Sequence, residues 1–346
     1  MTEVAEIAVL VVEASDSSRG FLVQLLQADP RIRVMQAVEQ PQAALNFLQS
    51  NRPSLVLVAH GLPELDGFDA TRRIMESHPL PVVLCAQAAA ADDVMFRSLE
   101  AGAVACVEKP MKGMPVDLLG VAVSHLLQTV KLMSEVKVVR RWARMPHAGA
   151  VVTKAAHPFD PLVVGIGAST GGPHALQTIL AALPNDFPVP ILAVQHIAKG
   201  FLQGMADWLG QTSGPSVVVG THGTSPLPGH VYLAPDGFHM GYGPSGRIVL
   251  GREAAENGLQ PSVAYLFRSL ADCCGTKAVG VLLTGMGKDG AYELKRMRDA
   301  GATTIVQDSA SSVVHGMPGE AIALGAAMHI APVGKIADLL VSFTRS

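Results

Sequence analysis

Short aliphatic runs recur along the chain, separated by stretches whose apolar residues follow helical spacing. In the first third the runs fall at residues 7–12, 33–38, 54–58, 81–85 and 103–108, with helical patterns such as 17–27 and 42–49 between them. A run of β-branched and aliphatic residues suits a strand buried on both faces, and its alternation with helices predicts a doubly wound parallel sheet. The same rhythm returns later. A strand at 162–167 leads to a helix at 173–183, with Pro173 near its first turn, and to a strand at 190–195. Residues 214–251 are rich in glycine, proline and β-formers. They read as an antiparallel hairpin region with turns at Asp236-Gly237 and Pro244-Ser245-Gly246. A helix at 263–273, a strand at 278–284, a helix at 290–300, a strand at 303–306 and a helix at 333–343 complete the pattern.

Between the two α/β regions the character changes. Lys137, Arg140, Arg141, Arg144 and Lys154 mix with Pro146, Gly149 and Pro158, as expected for a helix end followed by a solvated linker. The basic run reads as a solvated face rather than a binding patch. The expected division is a domain over 1–128, a linker over 129–160 and a second domain over 161–346. A length of 346 residues suits two cores better than one.

Composition narrows the classes. An apolar share of 49% with 16% charged residues argues for well-buried sheets rather than disorder. The net charge of −3 gives no electrostatic reason to expect a nucleic-acid partner. Mean hydropathy is +0.32, which raises the question of a membrane span. The apolar stretches are broken by charges or turn residues short of the ~20 residues a span requires, so no direct membrane insertion is expected. The start, Met-Thr-Glu-Val-Ala-Glu, lacks the basic region of a secretory signal. Four cysteines make no disulfide framework, and the adjacent Cys273 and Cys274 read as packing within a helix. A cytoplasmic location is expected.

Three motifs carry the candidate chemistry, each where an aliphatic strand runs out: Gly167-Ala168-Ser169-Thr170-Gly171-Gly172, Gln195-His196, and Gly285-Met286-Gly287-Lys288-Asp289-Gly290. The carboxyl ends of strands in an open parallel sheet line the ligand crevice. A hydroxyl, an imidazole and a carboxylate meeting there make a set for nucleophilic acyl transfer, with Ser169 attacking, His196 taking its proton and Asp289 fixing the imidazole. Gly167-Ala-Ser169-Thr-Gly171 also fits the nucleophile elbow of α/β-hydrolases, and the helix from Pro173 would aim its amides at an oxyanion. Against that superfamily stand the chain order, serine then histidine then aspartate, and the lack of an HGGG-type motif. Gly165-Ile-Gly167 after a strand raises a dinucleotide fold, but Thr170 replaces the third glycine and His196 ends the strand where an acid should hold the ribose. Taken alone, His196 reads as a histidine satisfied by the backbone and Asp289 as an Asp-Gly turn. Their joint placement at strand ends favours the triad. The other histidines, His174, His230, His239 and His315 among them, show no metal-ligand spacing, so no metal and no cofactor are expected.

Residues 162–343 closely resemble the catalytic domain of CheB-type chemoreceptor methylesterases. The matching stretches are Gly165-Ile-Gly-Ala-Ser-Thr-Gly-Gly172, Val194-Gln-His196, Leu227-Pro-Gly-His230, Leu233-Ala-Pro235 with His239-Met240, Pro261-Ser-Val263, Leu283-Thr-Gly-Met-Gly-Lys-Asp-Gly290 and Gly316-Met-Pro318. The resemblance implies that Ser169, His196 and Asp289 are catalytic, with backbone help for the oxyanion from Thr170 and Met286. It implies hydrolysis of γ-glutamyl methyl esters on methyl-accepting chemoreceptor-like proteins, with deamidation of selected glutamines as a related activity. Ala264 stands where many members carry aspartate, and Ala198-Lys199 follow Gln-His-Ile where proline is usual. Neither departure is expected to touch the triad.

Residues 7–128 resemble a response-regulator receiver, a flavodoxin-like five-stranded sheet, stripped of its acids. The first strand ends Val12-Glu13-Ala14 where a pair of acids is usual. Ala59 occupies the phosphoacceptor position, Ala86 stands where a serine or threonine contacts the phosphoryl group, and Cys106 where an aromatic switch is common. Lys109-Pro110 and the Leu62-Pro63…Asp66-Gly67 loop are kept, while Glu64 and Asp66 lie too far along to act as acceptor. A receiver holds Mg²⁺ and phosphate on acids that are missing here. The domain reads as a pseudo-receiver. It would either dock a histidine kinase or other signalling protein, or be vestigial and leave the esterase always on. Two other classes stay open: a non-catalytic or weakly active adaptor that docks through the pseudo-receiver, and a small-molecule esterase, which would need a deep apolar pocket.

Overall fold

Strand β1 (Ile7–Val12) is an inner strand of the first sheet, and four of its hydrophobic residues in a row are fully buried. It pairs with β2 (Ile32–Val38) on one side and β3 (Leu55–Ala59) on the other, and β4 (Val82–Ala86) and β5 (Ala105–Glu108) extend the sheet in the order β2-β1-β3-β4-β5. All neighbours run parallel, so each strand returns through a helix: α1 (Asp16–Gln27), α2 (Pro41–Leu48), α3 (Gly67–Ser77) and α4 (Ala91–Glu100), with α5 (Val116–Met133) closing the domain. This is the doubly wound sheet that the sequence predicts. The computed structural model describes residues 6–63, 65–87, 91–136, 162–197 and 200–344. Glu64, the basic residues Lys137, Arg140, Arg141, Arg144 and Lys154, and the Ala198-Lys199 pair lie outside the described residues. Two compact units divide the chain, Met1–Pro146 and His147–Ser346.

Helix α5 runs to Met133, and its 18 residues pass by length and composition as a candidate membrane span, a test that a helix of a soluble protein also passes. It buries Ala122, Leu126, Val130 and Met133 and packs against β4 and β5. Val116, Leu118 and Val121 remain exposed. The apolar tally of the helix thus comes from both faces, only one of which is core.

The second unit holds a seven-stranded sheet in the order β14-β13-β12-β6-β7-β9-β8. Its strands are β6 (Val163–Ala168), β7 (Ile191–Gln195), β8 (Ser216–Val219), β9 (His230–Leu233), β12 (Ala278–Leu282), β13 (Thr303–Gln307) and β14 (His329–Ala331). All are parallel to their neighbours. Strands β10 (His239–Tyr242) and β11 (Ile248–Gly251) form a separate antiparallel hairpin around the Pro244-Ser245-Gly246 turn, where Gly243 N–H donates to Arg247 O at 2.8 Å. Residues 214–251 are therefore not one hairpin region. The connection 220–229 is too long for a hairpin turn and crosses over, so β8 and β9 join the main sheet in parallel. Asp236-Gly237 turns the chain between the two sheets. Helices α6 (Gly172–Leu180), α7 (Leu202–Thr212), α8 (Val263–Cys274), α9 (Ala291–Asp299), α10 (Met317–Ala323) and α11 (Val333–Thr344) complete the unit. Neither α7, α10 nor β14 is predicted from the sequence.

At the carboxyl edge of the first sheet the expected receiver positions come together. Ala59 ends β3 and Ala86 ends β4, both buried. Glu13 follows β1, with its side chain 3% exposed, and Lys109 Nζ reaches it across the edge at 2.8 Å. The second Glu13 oxygen accepts from Ser15 N–H at 2.9 Å. Asp66 is taken up as the cap of α3, accepting from Asp69 N–H. Burial pushes the Cys85 thiol up to about 12 and the Cys106 thiol to about 11, so both stay protonated at neutral pH.

Removing one partner of a buried ion pair strands the other charge, whereas removing both does not. Lys109→Met should therefore destabilise the protein by about 3–5 kcal/mol in urea unfolding, and the double variant Glu13→Leu/Lys109→Met should recover most of that loss.

Candidate active site

Adjacent strands in register carry the three motif residues to one edge. Leu282 of β12 pairs with Gly167 of β6, and Ala168 of β6 pairs with Gln195 of β7. Ser169 and His196 are the first residues past β6 and β7, and the ladder continues into them, with His196 N–H donating to Ala168 O at 3.0 Å. Asp289 lies in the loop that follows β12. Residues far apart in the chain thus converge at the carboxyl edge, as the sequence predicts.

Asp289 is the most constrained of the three. Its side chain is 4% exposed, and His196 Nε2 lies 3.0 Å from its Oδ2. The approach is close, but the ring N–H is not aligned as a hydrogen bond. Two backbone amides at the start of α8 complete the carboxylate's shell: Val263 N–H donates to Oδ2 at 2.7 Å and Ala264 N–H to Oδ1 at 3.1 Å. Those amides have no partner within the helix, and the positive end of the helix dipole favours an anion there. Ala264 therefore does touch the triad, contrary to expectation, through its backbone N–H, a contact that its side chain does not set.

The start of α8 is itself fixed. Ser262 caps it, accepting from Tyr265 N–H at 3.1 Å, and Ser262 N–H donates to Nδ1 of the fully buried His239 at 3.2 Å. Val263 presses into a gap left by two glycines. A Cβ at Gly167 or at Gly290 would stand 2.3 Å from Val263 Cγ1. Gly290 also takes a positive φ of 77°.

Ser169 sits on a tight elbow. Its N–H donates to Thr284 O at 3.0 Å, and its carbonyl accepts from Gly172 N–H at 2.8 Å. Gly171 turns the chain into α6 with a φ of 78°, a conformation that glycine adopts without strain. The Gly172 amide is thus spent on Ser169 rather than left for an oxyanion, which narrows the expected role of the α6 terminus. Gly285 lies against the serine, where a Cβ would come within 2.7 Å of Ser169 Cβ. That close approach sets the segment that leads into Met286 against the segment that carries Ser169 and Thr170.

Three polar side chains that the sequence left without a role hold this geometry. Gln195 Nε2 donates to both Ser169 O and His196 O. Thr284 Oγ1 donates to Thr170 O at 2.9 Å and also lies 3.1 Å from Val314 O. Gln307 Oε1 accepts from Thr284 N–H at 2.8 Å. The only signal available was position: each is a polar residue at or just past the end of a strand that is mostly apolar. Among the described residues no group of three histidine, cysteine or acidic side chains is placed to hold a metal. A serine, an imidazole and a clamped carboxylate at one sheet edge are equipped for acyl transfer through a covalent intermediate.

Residues 164–340 match the family model for CheB methylesterase, and residues 9–117 that for the response regulator receiver domain. A Syntrophus aciditrophicus protein named protein-glutamate methylesterase/protein-glutamine glutaminase 1 is 47% identical, covering 98% of this chain and 99% of the relative. A Geobacter metallireducens protein of the same name, numbered 4, is 46% identical over 97% of this chain and 98% of its own. The crystal structure of the Thermotoga maritima CheB methylesterase catalytic domain superposes with a TM-score of 0.51 at 37% identity, covering 53% of this chain and 98% of that one.

The clamp on Asp289 makes a stability prediction. Asparagine offers one acceptor where two amides need one each, so Asp289→Asn leaves a buried N–H unpaired. Urea unfolding should show a loss of about 1–3 kcal/mol.

Proposed function

The chain belongs to the CheB methylesterase family, and from that premise we propose that it hydrolyses γ-glutamyl methyl esters on methyl-accepting chemoreceptor-like proteins in the cytoplasm. The supporting observation is the meeting of Ser169, His196 and Asp289 at the ends of three neighbouring strands, with Asp289 held by the α8 amides.

Ser169 Oγ attacks the ester carbonyl carbon while His196 takes its proton. Nε2 of His196 faces Asp289, so Nδ1 is the ring nitrogen that serves as base. The carboxylate steadies the imidazolium that forms. The backbone amides of Thr170 and Met286 receive the negative charge that develops on the carbonyl oxygen. Collapse of the tetrahedral intermediate expels methanol, protonated by His196, and leaves a glutamyl ester on Ser169. Water, deprotonated by His196, then attacks that ester and frees the glutamate and the serine. A glutamine presents the same carbonyl with ammonia as leaving group, so deamidation follows the same course, in keeping with the names of the relatives.

Met286 is 46% exposed and Tyr292, three residues past Asp289, is 69% exposed. An open rim with exposed apolar groups suits a receptor helix better than a small ester in a deep pocket. A non-catalytic adaptor would have no use for a carboxylate clamped beside an imidazole.

The N-terminal domain works as a pseudo-receiver, docking a histidine kinase or other signalling protein without accepting phosphate. Ala59 has no nucleophile, and Lys109, which would otherwise meet a phosphoryl group, is paired with Glu13.

Ser169→Ala should lower methanol release from methylated receptor membranes by at least about 10³-fold while leaving the unfolding midpoint unchanged. Near-normal release would contradict the assignment of the nucleophile. Acetyl phosphate with Mg²⁺ should place no hydroxylamine-labile phosphate on the N-terminal domain and should not raise the esterase rate. Labelling there would contradict the pseudo-receiver.

A further inference from the structure

Gln195 closes β7 with a side chain buried at the sheet edge, the residue being only 4% exposed. Its amide nitrogen donates to two backbone carbonyls at once, Ser169 O and His196 O, each at 2.8 Å. One side chain therefore ties together the segments that carry the nucleophile and the base. The orientation of the amide is set by these partners. Turned over, Oε1 would face two carbonyl oxygens with no proton between them.

Oε1 itself is buried and has no hydrogen-bond partner. It lies over Gly172, where a Cβ would come within 2.0 Å of it. A buried acceptor left unpaired costs about 1–3 kcal/mol, a cost that an apolar side chain of similar shape would avoid. A polar group kept against such a cost is expected where function needs it. Here the need falls on the two N–H donors.

Their effect reaches the reaction through the peptide unit that follows Ser169. That unit is planar and trans, so its C=O and its N–H point in opposite directions. The C=O belongs to Ser169 and the N–H to Thr170. Gln195 Nε2 and Gly172 N–H hold Ser169 O from two sides, and Thr284 Oγ1 holds the next carbonyl, Thr170 O. With both carbonyls pinned, the direction of the Thr170 N–H is pinned as well. We propose that Gln195 is a positioning residue that aims the Thr170 N–H at the developing oxyanion and, through His196 O, sets the base beside it. The proposal rests on the esterase reading above.

The test uses the full-length chain. Gln195→Leu keeps the volume and removes both donors. Gln195→Glu keeps the shape and replaces the donors with oxygens that repel the two carbonyls, and it is the variant to read if the leucine form does not fold. A donor held off line loses transition-state stabilisation and leaves substrate binding alone. The expected result for Gln195→Leu is a kcat lower by about 10- to 100-fold with KM unchanged, and a larger loss for Gln195→Glu. Affinity for a boronic acid that forms a tetrahedral adduct on Ser169 should weaken by the same factor as kcat/KM. In the wild-type chain, NMR should show the Gln195 side-chain amide protons protected from exchange with solvent. A purely structural role would lower the unfolding midpoint and leave kcat and boronate affinity of the folded protein within twofold of wild type, which would overturn the proposal. Unprotected amide protons would overturn it too. A wild-type chain that neither releases methanol nor binds the boronic acid contradicts the esterase reading, and the proposal falls with it. A wild-type chain that does both beside an unimpaired variant contradicts the proposal alone.

Discussion

The pairing of β6 between β12 and β7 is the constraint on which the site depends. Parallel neighbours end at the same edge, so a register that sets Leu282 beside Gly167 and Ala168 beside Gln195 delivers three loops to one place. A slip of one residue would move each side chain to the opposite face of its sheet, and the glycines hold the register, since a Cβ at Gly165, Gly167 or Gly280 would run into Leu270, Val263 or Leu294. The loops then need little freedom of their own. Ser169 and His196 follow their strands directly, and only Asp289 stands off on a longer loop.

That longer loop is held by a second element. The start of α8 meets the Asp289 carboxylate with two amides, and Val263 fills the space that Gly167 and Gly290 leave open. Helix, strand and loop thus lock through one side chain, and the carboxylate's charge rests on the positive end of a helix dipole. Glu293, in the first turn of α9, shows the electrostatic consequence. Its carboxyl is pushed up chiefly by burial, with the charge of Asp289 adding to the effect. The same economy marks the first domain, where Glu13 and Lys109 satisfy each other at an edge flanked by two alanines.

Much of this was legible in the chain. Aliphatic runs ending in Gly-Ala-Ser169, Gln-His196 and the Gly285-to-Gly290 loop located the edge, because strand burial and glycine turns are local properties of sequence. What stayed hidden depends on distant partners. Strands β8 and β9 look like halves of a hairpin because period-two patterning is the same for both orientations. Gln195 and Thr284 sit in motifs whose polar residues have meaning only once a neighbouring strand supplies the carbonyls they bind. Ala264 contributes a backbone amide, which no side-chain reading can reveal.

The central claim is that Ser169 is the group that becomes acylated. It is tested most directly by titrating the full-length protein with a fluorophosphonate, mapping the adduct by peptide mass spectrometry, and following methanol release from methylated receptor membranes in the same samples. The account predicts a single adduct on Ser169 and a rate that falls in proportion to its occupancy, reaching zero at one equivalent. An adduct at another residue, or full labelling of Ser169 with the rate intact, would contradict it.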